Sequence, residues 1–271
     1  MRSAVPSIPD RDLCSKAAEL LGREVDSIFP LDGGANNRVF RLQSGGRDYA
    51  LKVYACGTDD TRDRIGVETR ALRFLESQGL DCVPRCVASD HRNKIAIHSW
   101  LSGQPIASAT LADIEAALCF VQDLRDVSRV RAATKIPAAS EACLSPGELV
   151  RQVRERLERL LEISEHYADL REFLLKDLGP ILGQATDHAR DMLRVDGSEF
   201  NILLPQSSQT LSPSDFGFHN ARRIGNKLVV FYDFEYFGWD DPVRLAADFL
   251  LHPGMLLGDN ERRRFARGVC E

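Results

Sequence analysis

The chain has 271 residues, 44% of them hydrophobic and 28% charged, with a formal net charge of −5. That make-up suits a globular protein with length for one large domain or two lobes. No run approaches the roughly 18 apolar residues of a membrane span, and the N-terminal "MRSAVPSIPDRDL" lacks an apolar signal core. The acidic balance argues against nucleic acid as a partner. Seven scattered cysteines without a CxxC pair read as reduced thiols, with neither a disulfide frame nor a zinc site. A cytoplasmic protein is expected.

A helix is predicted over 11–22, with Leu13, Ala17, Leu20 and Leu21 on one face and Gly22 as its stop. Strand-like runs follow at 26–31, 36–43 and 47–54, the last two joined by Ser44-Gly45-Gly46, a hairpin signal. A charged helix covers 61–78 and ends at Gly79, and "NKIAIHSWL" reads as a further strand before the breaker "SGQP". From about residue 109 the pattern turns helical: Thr110 and Asp113 form a cap, and Leu111, Ile114, Leu118, Val121 and Leu124 recur at helical spacing. Ser145, Pro146 and Glu148 make a capping box for a helix carrying Leu149, Val153, Leu157, Leu160 and Leu161 inward. More helix fills 168–193, and short strands return at "NARRI" and "KLVVFYDF", with "GN" as their turn. The order implies a sheet-rich lobe over 1–98, a hinge at 99–104 and a mostly helical lobe over 105–271.

Several polar residues stand out against this frame. In "YALKVY", Ala50 and Lys52 share one face of a strand, which leaves room for a flat ring beside an ammonium. The same pattern also fits an edge strand showing a solvated lysine. Upstream, Gly33, Gly34, Asn36 and Asn37 form a loop able to offer N–H groups and amides to phosphate oxygens, or an ordinary hairpin turn. Glu68 lies on an apolar helical stripe with Leu72 and Leu75, where a carboxylate needs a partner such as Lys52 or must reach water at the stripe's edge. Asp215 and Asn220 flank two phenylalanines in "SPSDFGFHN", and an apolar run ends abruptly at Asp233 and Glu235. Asn220 and Asp233 could hold Mg²⁺, which would leave Asp215 to orient a hydroxyl and take its proton. Each is also an ordinary turn residue when read alone.

Taken in order, "LDGGANNRVFRL", "YALKVY", "VETRALRFL", "SPSDFGFHN" and "YDFEYFGWDDP" resemble the protein-kinase-like fold, and within it the aminoglycoside phosphotransferase and choline kinase family. Asp233-Phe234-Glu235 matches that family's Asp-x-Glu. The resemblance implies an α+β, two-lobed fold with a small antiparallel-sheet N-lobe and a mostly helical C-lobe. It also implies an ATP- and Mg²⁺-dependent phosphotransferase acting on a hydroxyl of a small polar acceptor such as a sugar, amino sugar or amino alcohol. Lys52 would contact the ATP phosphates and Glu68 would hold it. Asp215 would be the catalytic aspartate, with Asn220 and Asp233 on Mg²⁺. The hinge near His98, Ser99 and Leu101 would offer backbone groups to adenine.

The match departs from the family in three places. Pro213-Ser214 stands for His-Gly before the catalytic aspartate, Gly217-Phe218-His219 for His-Pro-Gly before the asparagine, and Leu245 for an acidic residue, with Asp248 three later as a brace or cap. His219 is expected to bond locally, and Phe237 and Trp239 to pack in the core. The chain also ends sooner after the metal motif than relatives do, as expected either of a truncated sequence or of one whose middle helices do more of the work of the acceptor pocket. These departures keep open a second function, a catalytically impaired pseudokinase serving as a nucleotide-binding or scaffold module. A protein kinase is disfavoured, since no Ala-Pro-Glu segment follows Asp233.

Overall fold

The structure, a computed structural model, describes residues 10–31, 37–55, 62–225 and 228–270. It divides into two compact units, Met1–Glu141 with Thr210–Glu271, and Ala142–Gln209. Among the described residues no helix is long and apolar enough to cross a membrane.

The first unit begins with helix α1 (Asp10–Leu21), which buries Leu13 and Ala17 and stops at Gly22, where φ is 64°. Strands β1 (Ser27–Leu31), β2 (Arg38–Ser44) and β3 (Arg47–Val53) follow. Gly45 and Gly46, at φ 57° and 72°, make the tight β2–β3 turn in a conformation that glycine adopts without strain. Helix α2 (Arg64–Ser77), β4 (Cys86–Asp90) and β5 (Ile95–Ser99) complete a five-stranded antiparallel sheet in the order β1-β2-β3-β5-β4. β4 is absent from the strands read in the sequence, because "CVASD" is half-exposed along its length and carries no apolar alternation. β3 is a central strand, so Lys52 does not lie on an edge.

Alternation gives this sheet two distinct faces. One packs Phe40, Leu42, Leu51, Val53, Ile95 and Ile97 against Leu13 and Ala17 of α1. The other carries Ala50 and Lys52, each paired across the ladder with His98 and Ala96 of β5.

The remaining elements, in chain order, are β6 (Gln104–Pro105), α3 (Leu111–Ser128), α4 (Pro146–Ile163), α5 (Ala168–Phe173), α6 (Gly179–Val195), β7 (Thr210–Ser212), β8 (Ala221–Ile224), β9 (Leu228–Phe231), β10 (Gly238–Asp240), α7 (Pro242–Leu251) and α8 (Asp259–Gly268). Thr110 and Asp113 form both bonds of a capping box at the start of α3, which buries Ile114, Phe120 and Leu124. β8 pairs with β9 and β6, and β10 with β7. Beneath these short strands lies a cluster of phenylalanines. Phe120 stacks on Phe231 with centroids 4.6 Å apart, Phe249 stacks on Phe265 at 3.9 Å, and Phe216 sits 5.0 Å from Phe249 and 5.2 Å from Phe231. Phe237 and Trp239 are buried in the same core. Asp248 lies within α7 beside Arg244 and caps no helix start. Asp241 supplies that cap, accepting from Val243 N–H at 2.7 Å.

In the second unit Ser145 Oγ accepts the Glu148 N–H at 3.1 Å, but the reciprocal half of the expected capping box is missing. The Glu148 carboxylate turns instead to the Arg151 guanidinium, a stronger charged donor. The inward face of α4 is also narrower than expected. Val153, Leu157 and Leu161 are half-buried, whereas Leu149 and Leu160, on one edge of the stripe, are exposed. α5 runs through a π-helical turn, Leu174–Leu178, into α6.

The phenylalanine cluster holds the 212–220 loop from below, so Phe216→Ala should lower stability by about 3–5 kcal/mol. Urea unfolding should register this as a lower midpoint with unchanged slope. A midpoint equal to wild type would mean that the loop is anchored elsewhere.

Candidate active site

Because β3 is central, the lysine it points away from α1 is enclosed. Lys52 is only 7% exposed. Its Nζ lies 2.7 Å from Glu68 Oε2, 2.6 Å from Asp233 Oδ1 and 3.3 Å from Glu235 Oε2. Glu68 comes from α2, whose first turn is fixed by Asp63 accepting the Gly66 N–H. At 2% exposure Glu68 does not reach water. Its Oε2 also accepts from the Tyr54 hydroxyl at 2.6 Å, and its Oε1 accepts from Phe234 N–H at 3.3 Å.

The opposing acids arrive from the end of the β8–β9 hairpin. Tyr232 N–H donates to Asn220 O at 2.9 Å, extending the ladder by one step and bringing Asn220 beside the residue that precedes Asp233. Asp233 has φ 70°, a left-handed conformation uncommon away from glycine. Glu235 accepts from Arg64 Nη1 at 2.9 Å and Asn37 Nδ2 at 2.6 Å in addition to facing Lys52.

Two buried cations thus face three carboxylates, and the imbalance sets their protonation. Burial opposes the charge on Lys52, but Glu68, Asp233 and Glu235 together raise its pKa above the ordinary lysine value. Burial also pushes Asp233 upward; Lys52 opposes this, yet with Glu68 and Glu235 nearby the carboxyl rises to about 6. Glu68 is raised by burial but held below its usual value by Lys52, His98 and its hydrogen bonds. His98 is lowered to about 4 by burial, with Lys52 adding to the effect and Glu68 opposing it. A neutral imidazole therefore stands beside the Tyr54 hydroxyl, 3.4 Å away.

Asp215 sits on the loop between β7 and β8. Its Oδ1 is 3.0 Å from His219 Nε2, and its Oδ2 accepts from Asn220 Nδ2 at 3.0 Å. The same amide donates to Asp215 O, and Asn220 Oδ1 has no partner among the described residues. Burial pushes the Asp215 carboxyl up, but His219 and Asn220 together carry it below the ordinary aspartate value. Ser214, standing where the family has glycine, takes φ 62°, and its buried hydroxyl has no partner.

Other anticipated residues fall as follows. Gly33, Gly34 and Asn36 lie outside the described residues. Asn37 is buried with both ends of its amide used, Nδ2 on Glu235 and Oδ1 accepting from Ala55 N–H at 3.2 Å. Ala50 is on the same face as Lys52 and is half-buried. Ser99 N–H donates to Arg85 O, and its hydroxyl accepts from Arg85 N–H, both at 2.9 Å. Leu101 follows β5 with no backbone hydrogen bond among the described residues.

Arg64, Tyr54, the His98 side chain and His252 were not anticipated. Arg64 had a signal in the sequence, since it stands one turn before Glu68 on the same stripe of α2. His252 had none. Its ring stacks on His219 at 3.8 Å, a contact between two loops far apart in the sequence.

A model of the phosphotransferase enzyme family matches residues 27–270. No curated protein matches the chain. Among solved structures, spectinomycin phosphotransferase APH(9)-Ia, in complex with ADP and spectinomycin, is 15% identical with a TM-score of 0.67 over 96% of this chain and 79% of that one. ADP-bound aminoglycoside phosphotransferase APH(2'')-Ib is 17% identical with a TM-score of 0.66, covering 97% and 82% of the two chains. Choline kinase from Cryptosporidium parvum Iowa II is 13% identical with a TM-score of 0.62, covering 91% and 71%. At these identities the likeness is one of fold, and that fold is the two-lobed, kinase-like α+β architecture. The family match runs over most of the length, from β1 to just past the last helix, and by it the chain belongs to the phosphotransferase enzyme family.

Proposed function

We propose that the chain is an ATP- and Mg²⁺-dependent kinase that phosphorylates a hydroxyl of a small polar metabolite, with a sugar, amino sugar, amino alcohol or aminoglycoside-like compound as the acceptor class. One observation carries this reading. Asn220 bonds through its side chain to Asp215 and through its backbone to the residue before Asp233, so one asparagine links a candidate base to a candidate metal ligand.

The donor set fits Mg²⁺. It consists of hard oxygens, the Asp233 carboxylate, in a cluster where carboxylates outnumber cations, and Asn220 Oδ1, which has no partner among the described residues. The ion, when bound, neutralises charge on the transferring phosphoryl group. The remaining work belongs to the chain. Lys52, kept charged and oriented by Glu68, supplies an ammonium for the phosphate oxygens. Ala50 leaves space for the base, and the backbone of Leu101, unpaired among the described residues, offers it a donor and an acceptor. Asp215, ionised at neutral pH and held by both carboxylate oxygens, orients the acceptor hydroxyl and receives its proton.

The departure at Pro213-Ser214 favours one alternative, a catalytically impaired pseudokinase serving as a nucleotide-binding or scaffold module. Two measurements separate the readings. Thermal unfolding with ATP should rise only when Mg²⁺ is present, by roughly 2.7 kcal/mol at 100 times Kd, and Asp233→Ala should abolish the rise. A flat response to nucleotide would remove the kinase reading and leave a scaffold module. Asp215→Asn should keep that rise while turnover falls by on the order of 10²–10⁴-fold. Undiminished turnover would exclude the base, and a wild type that binds without turnover would leave only the module.

The raised pKa of Asp233 carries its own consequence in the nucleotide-free protein. The folded carboxyl, at about 6, holds its proton more tightly than the unfolded one, at 3.8. The stability this contributes is fully present below pH 3.8 and is lost as pH rises through about 6. Asp233→Asn lacks this loss, so its stability relative to wild type should climb by about 1–2 kcal/mol between pH 4 and pH 7, discounted for the part of the side chain open to water. A pH-independent difference would mean that Lys52 fully neutralises the acid.

A further inference from the structure

The catalytic loop lacks the histidine its family places before the aspartate, yet Asp215 is held at both oxygens. One hold is Asn220 and the other is His219, which stands beside Asn220, two residues after the glycine that permits it. A Cβ at Gly217 would lie 2.6 Å from His219 Nδ1 and 2.8 Å from Met255 Sδ. Glycine at that position lets the His219 ring fold back toward Asp215 and lets Met255 approach the loop.

Both neighbours of this loop come from one segment after α7. The His252 ring lies parallel to the His219 ring, 3.8 Å away and 9° from coplanar. Met255 Sδ accepts the Phe218 N–H at 2.8 Å. The segment is itself a turn, with Gly254 N–H donating to His252 Nδ1 at 3.2 Å and Met255 N–H donating to His252 O at 3.1 Å. Tyr232 OH donates to His219 O at 3.1 Å, a further hold on the loop backbone. His219 Nδ1 is buried without a partner, so its ring is oriented by one hydrogen bond, to Asp215, and one stacked face.

Asp215, His219 and His252 also bring three potential metal-ligand atoms within 4.8 Å of one another. The stack argues against coordination there. Parallel rings direct their lone pairs side by side, whereas two imidazoles on one ion must converge on it.

We propose that residues 252–255 brace the catalytic loop, with His252 a positioning residue that sets the His219 ring and, through it, the Asp215 carboxylate. Asp215 as the reacting group rests on the kinase reading above; the brace itself does not. His219 and His252 thus supply from behind the loop the support that the family takes from a histidine ahead of it. The stack needs a flat ring at 252 but no ring nitrogen, and this separates positioning from acid–base chemistry.

The test uses the full chain labelled with ¹⁵N-histidine, read by long-range ¹H–¹⁵N spectra, alongside steady-state ATP turnover with a panel of hydroxyl acceptors. Wild type should show His219 protonated at Nε2. His252→Ala should mix or broaden that signal and lower kcat by on the order of 10-fold or more with KM for ATP within about twofold. His252→Phe, which keeps a stacked ring, should restore both. If either readout stays at the wild-type value in His252→Ala, or if His252→Phe fails as badly as alanine, the brace is overturned. Should wild type phosphorylate no acceptor, the kinase reading falls and the spectra alone decide the brace. An unfolded His252→Ala would leave the decision to His252→Phe against His252→Gln, the second keeping polarity without a ring.

Discussion

The organising constraint is a single ammonium that cannot reach water. Lys52 lies on a central strand, on the face away from α1, and a buried cation there is strongly unfavourable unless anions surround it. Three do, and they come from two different regions of the chain: Glu68 from α2, and Asp233 and Glu235 from the loop after β9. The lysine therefore fixes where α2 and that loop must stand relative to the sheet. Glu235 is completed by Arg64 and Asn37, which brings the start of α2 and the residue ahead of β2 to the same point. Removing Lys52 would leave the surrounding carboxylates buried without their shared cation, which is why such clusters fix geometry even where they add little net stability.

Much of the sheet lobe could be read from local chemistry. The Gly45-Gly46 turn and the period-two faces of β2 and β3 depend on residues a few positions apart, so short patterns reveal them, and the same holds for the Thr110–Asp113 box that opens α3 beyond that lobe. Where the sequence misled, the deciding partner was elsewhere. β4 forms because β5 offers it an edge, not because "CVASD" alternates. Glu148 abandons the Ser145 box because Arg151 offers a charged donor on the next turn. The five apolar residues of α4 outline a stripe correctly, but how much of it is covered depends on packing that a helical period does not specify.

The candidate site divides in the same way. A carboxylate on an apolar stripe needs a cation or an outlet to water, so the residues alone offered the Glu68–Lys52 pair as one of two readings, and burial of both decides for it. Asp215, Asn220 and Asp233 were ordinary turn residues until their order resembled a family. Arg64 was visible on the Glu68 stripe but looked like one charge among many in a charged helix; only Glu235, far along the chain, decides that it is buried. His252 lies beyond any such reasoning, since a ring stack between two loops leaves no spacing in the sequence.

The ion cluster and the aromatic core are one structure, joined at Phe234. Its N–H donates to Glu68 Oε1, so the carboxylate that holds Lys52 also holds the backbone between Asp233 and Glu235. Its ring is fully buried, 6.3 Å from Phe120 and 5.9 Å from Phe237. Phe120 stacks on Phe231, and Phe231 meets Phe216, the residue after Asp215. A continuous set of contacts thus runs from the lysine of the sheet lobe through one glutamate and four rings to the loop carrying Asp215. Aromatic packing has few soft alternatives, because rings displaced from a dense core lose contacts on every side. The apolar run that ends abruptly at Asp233 is therefore more than a route for delivering an acid. It transmits the position of Lys52, through rigid side chains, to a carboxylate that shares no direct bond with it.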